Sequence, residues 1–305
     1  MVFSDVYLQP DAPDPVLTEE VVVEAARRHA PEAGGLLEVD ESGGEARAYF
    51  LEGGIVVKTQ RPHRLRPRTS LRKEALFLAE LERQGDFPVP RALGHGEVEG
   101  IEYLCLTRID GVPVEHASLD AATRAAVLCE LGRTLRAIHE IEQSVLAESD
   151  LVPGDRTPAD LKARFSDAFD RLATALGADE TLAGTLDVRG VAARCIARIP
   201  TSTPPVALHS NPGPEHTFVD PASGAFVGLI DFGDAYRSHP ALDLRPWTED
   251  ADGEALLAGY RSAGPLPGGF DDVRRTGLVI VELARASRGR SSAAELSFSL
   301  DRLLG

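Results

Sequence analysis

The pattern of hydrophobic and polar positions divides the chain in two. Short β-like runs dominate the first third, and helical spacing dominates the rest. A helical stretch at Glu19–His29, with Thr18 placed to cap it, precedes three runs: Leu36–Val39, Arg47–Leu51 and Ile55–Thr59. Ser42-Gly43-Gly44 and Gly53-Gly54 separate them, and both suit hairpin turns because glycine accepts positive φ. A helix from about Ser70 to Gln84 follows, stopped by Gly85 and Pro88. Two more runs, Arg91–Glu97 and Glu102–Arg108, complete an antiparallel sheet with one helix inserted. Beyond Gly111, Asp120 is placed to cap a helix reaching about Glu142, with Ala121, Ala125, Leu128, Leu131, Leu135 and Ile138 at helical spacing. Helices are expected at Pro158–Leu176, Leu186–Ile199, Gly253–Ala263, Phe270–Arg288 and Ala293–Leu303. Short strands at Thr217–Val219 and Phe226–Ile230 flank a turn at Pro221–Gly224. Strands first and helices afterwards predict an α+β architecture, with lobes over residues 1–109 and 110–305. No repeat or low-complexity tract interrupts it.

The composition narrows the function classes. The chain has 305 residues, 43% apolar and 26% charged, which is ordinary for a soluble globular protein. Its net charge of -16 removes the basic footprint that nucleic-acid binding needs. The same charge suits a site for neutral or cationic small molecules, or serves solubility alone. Cys105, Cys129 and Cys195 lie far apart without CxxC spacing, which indicates a reducing compartment and neither a disulfide frame nor a zinc site. The start, MVFSDVYLQPDAP, has no basic region followed by an apolar core, and no apolar run approaches the roughly 18–20 residues of a membrane span. The expected location is cytoplasmic.

Lys58, Lys73 and Lys162 are the only lysines among 32 basic residues, and Lys58 ends the apolar run Gly54-Ile55-Val56-Val57-Lys58. A buried ammonium must be paired or lose its proton. On the following helix, Leu71, Glu74, Leu78 and Leu81 put Glu74 within the apolar stripe. Two readings are open: an ion pair between Lys58 and Glu74, or an edge lysine snorkelling to water beside a wider polar helix face. Further on, His209-Ser210-Asn211-Pro212-Gly213-Pro214-Glu215-His216 follows an apolar strand, and a second apolar strand ends in Asp231-Phe232-Gly233. Phosphoryl transfer needs a strand-end carboxylate for Mg²⁺ and a second ligand from a nearby loop, and Asp231 and His216 have that spacing.

With these residues the sequence resembles the aminoglycoside phosphotransferase family, which includes the macrolide kinases and is more distantly akin to eukaryotic-like protein kinases. His209, Asn211 and His216 stand at the named positions of its H-x-D-x-x-x-x-N loop, and Ile230-Asp231-Phe232-Gly233-Asp234-Ala235 matches its metal motif. Pro240-Ala241-Leu242-Asp243-Leu244, after His239, matches its D-P-x-x-D-L segment. Pro88-Val89-Pro90 and Leu135-x-x-Ile138-His139 also fall in order. The resemblance, spanning about Leu36 to Trp247, implies a bilobal protein-kinase-like fold, with a small antiparallel-sheet N-lobe and a mostly helical C-lobe. It implies transfer of a phosphate from ATP or GTP, with Mg²⁺, to a hydroxyl of an aminoglycoside, macrolide or related metabolite.

By the same resemblance Lys58, held by Glu74, orients the phosphates, and Asp231 and His216 hold the metal. Backbone groups of Thr107, Arg108 and Ile109 meet the nucleotide base, and Asp243 and His209 support the catalytic loop. Ser42, Gly43 and Gly44 occupy the phosphate-loop position, either cradling phosphate or forming only a turn. Asp234 reads equally as a ligand or a turn residue. The sequence departs from the family at three neighbouring places. Asn211 replaces the aspartate that accepts the hydroxyl proton, and Ser210 and Pro212 stand where Gly or Asn and then Leu are favoured. His216 replaces the metal-ligand asparagine, as in macrolide kinases. A neutral amide is no base, so the alternative to a phosphotransferase weakened by Asn211 is a nucleotide- or ligand-binding pseudokinase.

Overall fold

Alternation of buried positions gives the N-terminal sheet two different faces. The computed structural model describes residues 7–67, 69–178, 186–201 and 205–304; residues 1–6 of the N-terminal stretch read above lie outside them. In chain order come α1 (Glu19–Arg27), β1 (Leu36–Asp40), β2 (Ala46–Leu51), β3 (Ile55–Gln60), α2 (Leu71–Gln84), β4 (Ala92–Val98) and β5 (Ile101–Thr107). The five strands pair antiparallel in the order β1-β2-β3-β5-β4. The β2–β3 turn uses Gly53 and Gly54 at φ 87° and 72°, where a Cβ would be strained. Tyr49, Leu51, Ile55, Val57, Tyr103 and Cys105 share one buried cluster with Val22, Val23, Ala25 and Ala26 of α1. Val56, Leu104 and Leu106, on the other face, share a second with Leu71, Phe77, Leu78 and Leu81 of α2. Period two therefore turns Lys58 toward α2. The buried stripe of α2 includes Glu74, as its spacing predicts.

The chain then enters a mostly helical part: β6 (Val112–Pro113), α3 (Ala121–Glu140), α4 (Ser144–Glu148), α5 (Pro158–Gly177), α6 (Val188–Ala197), β7 (Val206–Leu208), β8 (Thr217–Val219), β9 (Phe226–Leu229), β10 (Tyr236–Ser238), α7 (Asp250–Arg261), α8 (Phe270–Ala286) and α9 (Ala293–Leu304). Asp120 caps α3 by accepting from the Thr123 N–H, and Thr157 with Asp160 forms a capping box on α5. Two small sheets frame the loops between them: β7 pairs with β10, and β8 lies between β6 and β9. The pairings of β6 and β10 and the short helix α4 carry no periodic signal of their own and were not expected from sequence. On α3 the buried stripe begins at Val127, and Ala121 and Ala125 face water, because the core meets only the later turns of the helix.

Helices α3 and α7 approach backbone to backbone. A Cβ at Gly132 would lie 2.1 Å from the Leu256 carbonyl oxygen, and one at Gly259 would lie 1.9 Å from that of Cys129. Neither carbonyl can give way without separating the helices. Gly259→Ala is therefore expected to cost about 3 kcal/mol by overpacking. Gly177→Ala, with no atom of the described residues within 4 Å of the added Cβ, should leave stability unchanged or higher. Thermal unfolding of the two variants side by side checks this.

Candidate active site

The site is built where α2 meets the loop after β9. Ser70 caps α2, and Glu74 one turn in is only 1% exposed. Lys58 reaches across from β3, its Nζ 2.7 Å from Glu74 Oε2 and 2.6 Å from Asp231 Oδ1. Burial works against the Lys58 charge, yet attraction to Asp231 and Glu74 outweighs it and holds the pKa well above the lysine range. For Glu74 burial prevails, and its pKa is raised despite Lys58. Burial also opposes ionisation of Asp231, but the Lys58 ammonium holds its carboxyl far below the usual range. Of the two readings of Lys58, the snorkelling one is excluded.

Further bonds fasten α2 to the same loop. The Phe232 N–H donates to Glu74 Oε1 at 3.4 Å, Lys73 Nζ donates to the Ala235 carbonyl at 2.9 Å, and Thr69 Oγ1 donates to Asp234 Oδ1 at 2.5 Å. Asp234 is thus engaged by the residues entering α2. Phe232 is fully buried, 5.1 Å from the Phe77 ring and 4.5 Å, edge-on, from the His209 ring.

The loop from His209 to His216 is fixed from below by Asp243. This buried carboxylate accepts the His209 N–H at 2.8 Å, the Ser210 N–H at 2.7 Å and His139 Nε2–H at 3.0 Å. Tyr260 Oη is 2.9 Å from the other nitrogen of His139, so this histidine is a satisfied core residue. His209 donates from Nε2 to the Ile230 carbonyl at 2.8 Å and accepts the Asn211 N–H on Nδ1 at 3.2 Å, the bonding of a neutral ring. Ser210 and Asp231 both adopt positive φ, 88° and 72°. Backbone strain of this kind costs about 1–3 kcal/mol per residue. It gives a physical reason for the Gly or Asn favoured at position 210.

His216 donates from Nδ1 to the Asn211 carbonyl at 2.8 Å, which leaves Nε2 as the lone-pair nitrogen, 3.3 Å from Asp231 Oδ2. A lone pair facing a carboxylate calls for a cation between them, and a ligating histidine is commonly held through its other nitrogen in this way. Among the described residues no group of three or more His, Cys, Asp or Glu side chains gathers to hold a metal unaided. Mg²⁺ suits such a sparse set, because it takes one or two protein ligands and completes its shell with phosphate oxygens and water. The residues therefore fit the ion.

The expected nucleotide contacts fall differently. Ser42 N–H is turned onto Asp40 Oδ1 at 2.7 Å, and Arg61 Nη1 donates to the Glu41 and Gly43 carbonyls at 3.2 and 3.3 Å. Arg61 and Arg47 in turn bind Asp14, so the turn is pinned to the N-terminal segment. Beyond Gly44, Glu45 pairs with Arg66. Burial lifts the Glu45 pKa against the pull of Arg66, and repulsion from Asp234 adds to the rise. In the connection after β5, the Thr107 N–H is given to the Arg91 carbonyl at 3.0 Å and the Arg108 N–H to that of Gly54 at 2.7 Å. Glu45, Arg66, Thr69 and Glu215 were not singled out from sequence. Only Glu215, next to His216 in a motif already quoted, had a local signal.

Two buried histidines predict an acid response. Burial pushes His209 and His239 down to about 4 each. The unfolded chain, near the ordinary value of about 6.5, then binds more protons between those limits, so stability falls as pH falls, by up to about 1.4 kcal/mol per unit per residue. Tm measured from pH 7 to 4.5 is expected to drop steadily; a flat profile would contradict it.

Comparison with known proteins agrees with this geometry. The model of the family described as "Phosphotransferase enzyme family" matches residues 37–273. Among solved structures, the chain is similar to the macrolide 2'-phosphotransferase MphH from Brachybacterium faecium, at 20% identity over 93% of this chain and 98% of that one, with a TM-score of 0.60. It is similar to the streptomycin-ATP ternary complex of APH(2")-IIa at 16% identity, 89% and 91% coverage and a TM-score of 0.61. It is also similar to the GDP complex of aminoglycoside 2'-phosphotransferase-IIIa at 17% identity, 94% and 97% coverage and a TM-score of 0.63. No curated protein matches the chain. These likenesses establish the bilobal α+β fold. Among the described residues no helix is long and apolar enough to cross a membrane.

Proposed function

The chain belongs to the phosphotransferase enzyme family, and from that premise we propose that it transfers the γ-phosphate of ATP or GTP, with Mg²⁺, to a hydroxyl of a small molecule. The observation that carries this reading is Lys58 Nζ, within 2.7 Å of both Glu74 and Asp231. An ammonium from the sheet and a strand-end carboxylate meet at one point, where phosphate oxygens and a metal are needed together. Lys58 binds and orients the phosphates, and Glu74 holds Lys58. Asp231 and His216 would hold Mg²⁺, which when bound neutralises phosphate charge. Asn211 hydrogen-bonds the acceptor hydroxyl and orients it. Residues 1–109 act as the nucleotide lobe and residues 110–305 carry the catalytic loop and the acceptor groove. The base is met by backbone groups of Thr107, Arg108 and Ile109 other than the two engaged N–H groups.

The acceptor is a hydroxyl-rich or cationic compound of the aminoglycoside or macrolide type. The net charge of -16 supports a cationic one, since an acidic cleft concentrates cations. The test is transfer of labelled γ-phosphate from ATP and GTP to a panel of antibiotics and sugars. Transfer to at least one is expected. Nucleotide binding without transfer, unrelieved in Asn211→Asp, would replace this reading with a pseudokinase.

A further inference from the structure

The loop that places an amide at position 211 also brings a carboxylate to it. Asn211 Nδ2 donates to Glu215 Oε1 at 2.9 Å. The Glu215 oxygen is thus one hydrogen bond away from where an aspartate at 211 would present its own. Gly213 makes room for this fold-back, because a Cβ there would lie 2.4 Å from Glu215 Oε2. The platform beneath is fixed at three points. Trp247 Nε1 donates to the Pro212 carbonyl at 2.7 Å, the Glu115 N–H to that of Pro214 at 3.2 Å, and Thr217 Oγ1 to that of Gly213 at 2.9 Å. Glu215 is 39% exposed, open to an incoming acceptor. Among the described residues it has no lysine or arginine partner. Its one charged approach is His216 Nδ1 at 4.0 Å, and that nitrogen already donates to the Asn211 carbonyl.

We propose that Glu215, coupled to Asn211, is the proton acceptor of this active site, an assignment that rests on the phosphotransfer reading above. One N–H of Asn211 Nδ2 holds Glu215 and the other is left to donate to the acceptor oxygen, so that the acceptor's own O–H donates to the Glu215 carboxylate. As the acceptor oxygen bonds to the γ-phosphorus, its O–H bond breaks and the proton passes to a Glu215 oxygen. The bond from γ-phosphorus to the β–γ bridging oxygen breaks at the same time, and the nucleoside diphosphate leaves with that electron pair. Exposure lets Glu215 return the proton to water. The amide and the carboxylate divide between them the orienting and proton-accepting work that one aspartate does alone.

The test compares wild type, Glu215→Gln, Gly213→Ala, Asn211→Asp and the double variant Glu215→Gln/Asn211→Asp. The probes are ATP and GTP with kanamycin, gentamicin, streptomycin, erythromycin and simple hexoses, and with water as acceptor where none of these is taken. Glu215→Gln should lower kcat about 10²-fold, with both KM values and the nucleotide-induced thermal shift nearly unchanged. Gly213→Ala, which displaces the carboxylate without removing it, should lower kcat about tenfold. Restoring a carboxylate at 211 in the Glu215→Gln background should recover at least tenfold, and by a larger factor than Asn211→Asp alone gains over wild type, a difference that a merely structural role for Glu215 would not produce. Wild-type kcat in Glu215→Gln, or no recovery in the double variant beyond that gain, overturns the assignment while leaving the phosphotransfer reading in place. Absence of any transfer or hydrolysis by wild type overturns both.

Discussion

Replacing Lys58 by methionine is expected to lower phosphoryl transfer by about 10²–10³-fold, the cost of removing one preorganised charge from a reacting group. The same change should cost about 3 kcal/mol of stability, because it strands Glu74, which is 1% exposed, beside the Asp231 carboxylate. The figure lies at the low end for a broken ion pair, since the Asp231 side chain is 40% exposed. The stability loss has a definite pH dependence. Without Lys58, Glu74 loses its counter-charge and keeps a proton in the fold more readily than in the unfolded chain. A raised folded pKa favours folding fully below the unfolded value of about 4.5 and ever less as pH rises through the folded one. Lys58→Met should therefore lower Tm more at pH 8 than at pH 5. Adding Glu74→Gln removes the stranded charge, so the double variant should regain stability and no activity. Calorimetry at the two pH values and a transfer assay on both variants check this. Recovery of activity in the double variant would mean that Lys58 serves only to neutralise Glu74.

How much of this site was legible in sequence depends on whether a residue's signal is local. Lys58 and Glu74 each violate the pattern around them, a cation ending an apolar strand and a carboxylate inside an apolar stripe, and two violations that cancel are visible without coordinates. The long helices and the five sheet strands follow from period and turn chemistry in the same way. Strands β6 and β10, of two and three residues, exist only through partners far along the chain, and nothing in two residues reports a partner. The engagement of the Thr107 and Arg108 N–H groups was hidden for the same reason, because backbone groups have no side-chain signature. Glu215 was hidden differently. Its residue type was plain, but a carboxylate four positions after an asparagine becomes part of a site only when the loop folds back, and Gly213 then leaves space for the carboxylate tip.

Strain and bracing in the catalytic loop belong together. Ser210 and Asp231 hold left-handed backbone at the starts of the two loops that carry Asn211 and Phe232. Such conformations persist only where surrounding contacts over-determine them. For Asp231 those contacts are Lys58 and the Phe232 N–H bound to Glu74. For Ser210 the contact is Asp243, through the Ser210 N–H itself.

Asp243→Asn should accordingly be among the most damaging isosteric changes in the chain. The carboxylate receives three donors with no exposure to water. An asparagine offers one oxygen and turns an NH₂ group toward an N–H it cannot accept, leaving buried donors unpaired. The expected loss is about 3–5 kcal/mol, as for breaking a buried ionic network, or a Tm lower by about 10 °C. Activity should fall further than stability explains, because released strain at Ser210 moves Asn211 away from the acceptor. The gap from wild type again widens as pH rises, but here because wild type gains stability, whereas in Lys58→Met the variant loses it. Burial opposes ionisation of Asp243, but the bond from His139 outweighs it and the pKa lies below the ordinary 3.8. A depressed carboxylate stabilises the fold above its unfolded pKa and loses that contribution as pH falls through the folded one. The difference between wild type and Asp243→Asn should thus be full at neutral pH and narrow below pH of about 4. A gap in Tm that stays constant into that range would show that Asp243 braces the loop by packing alone.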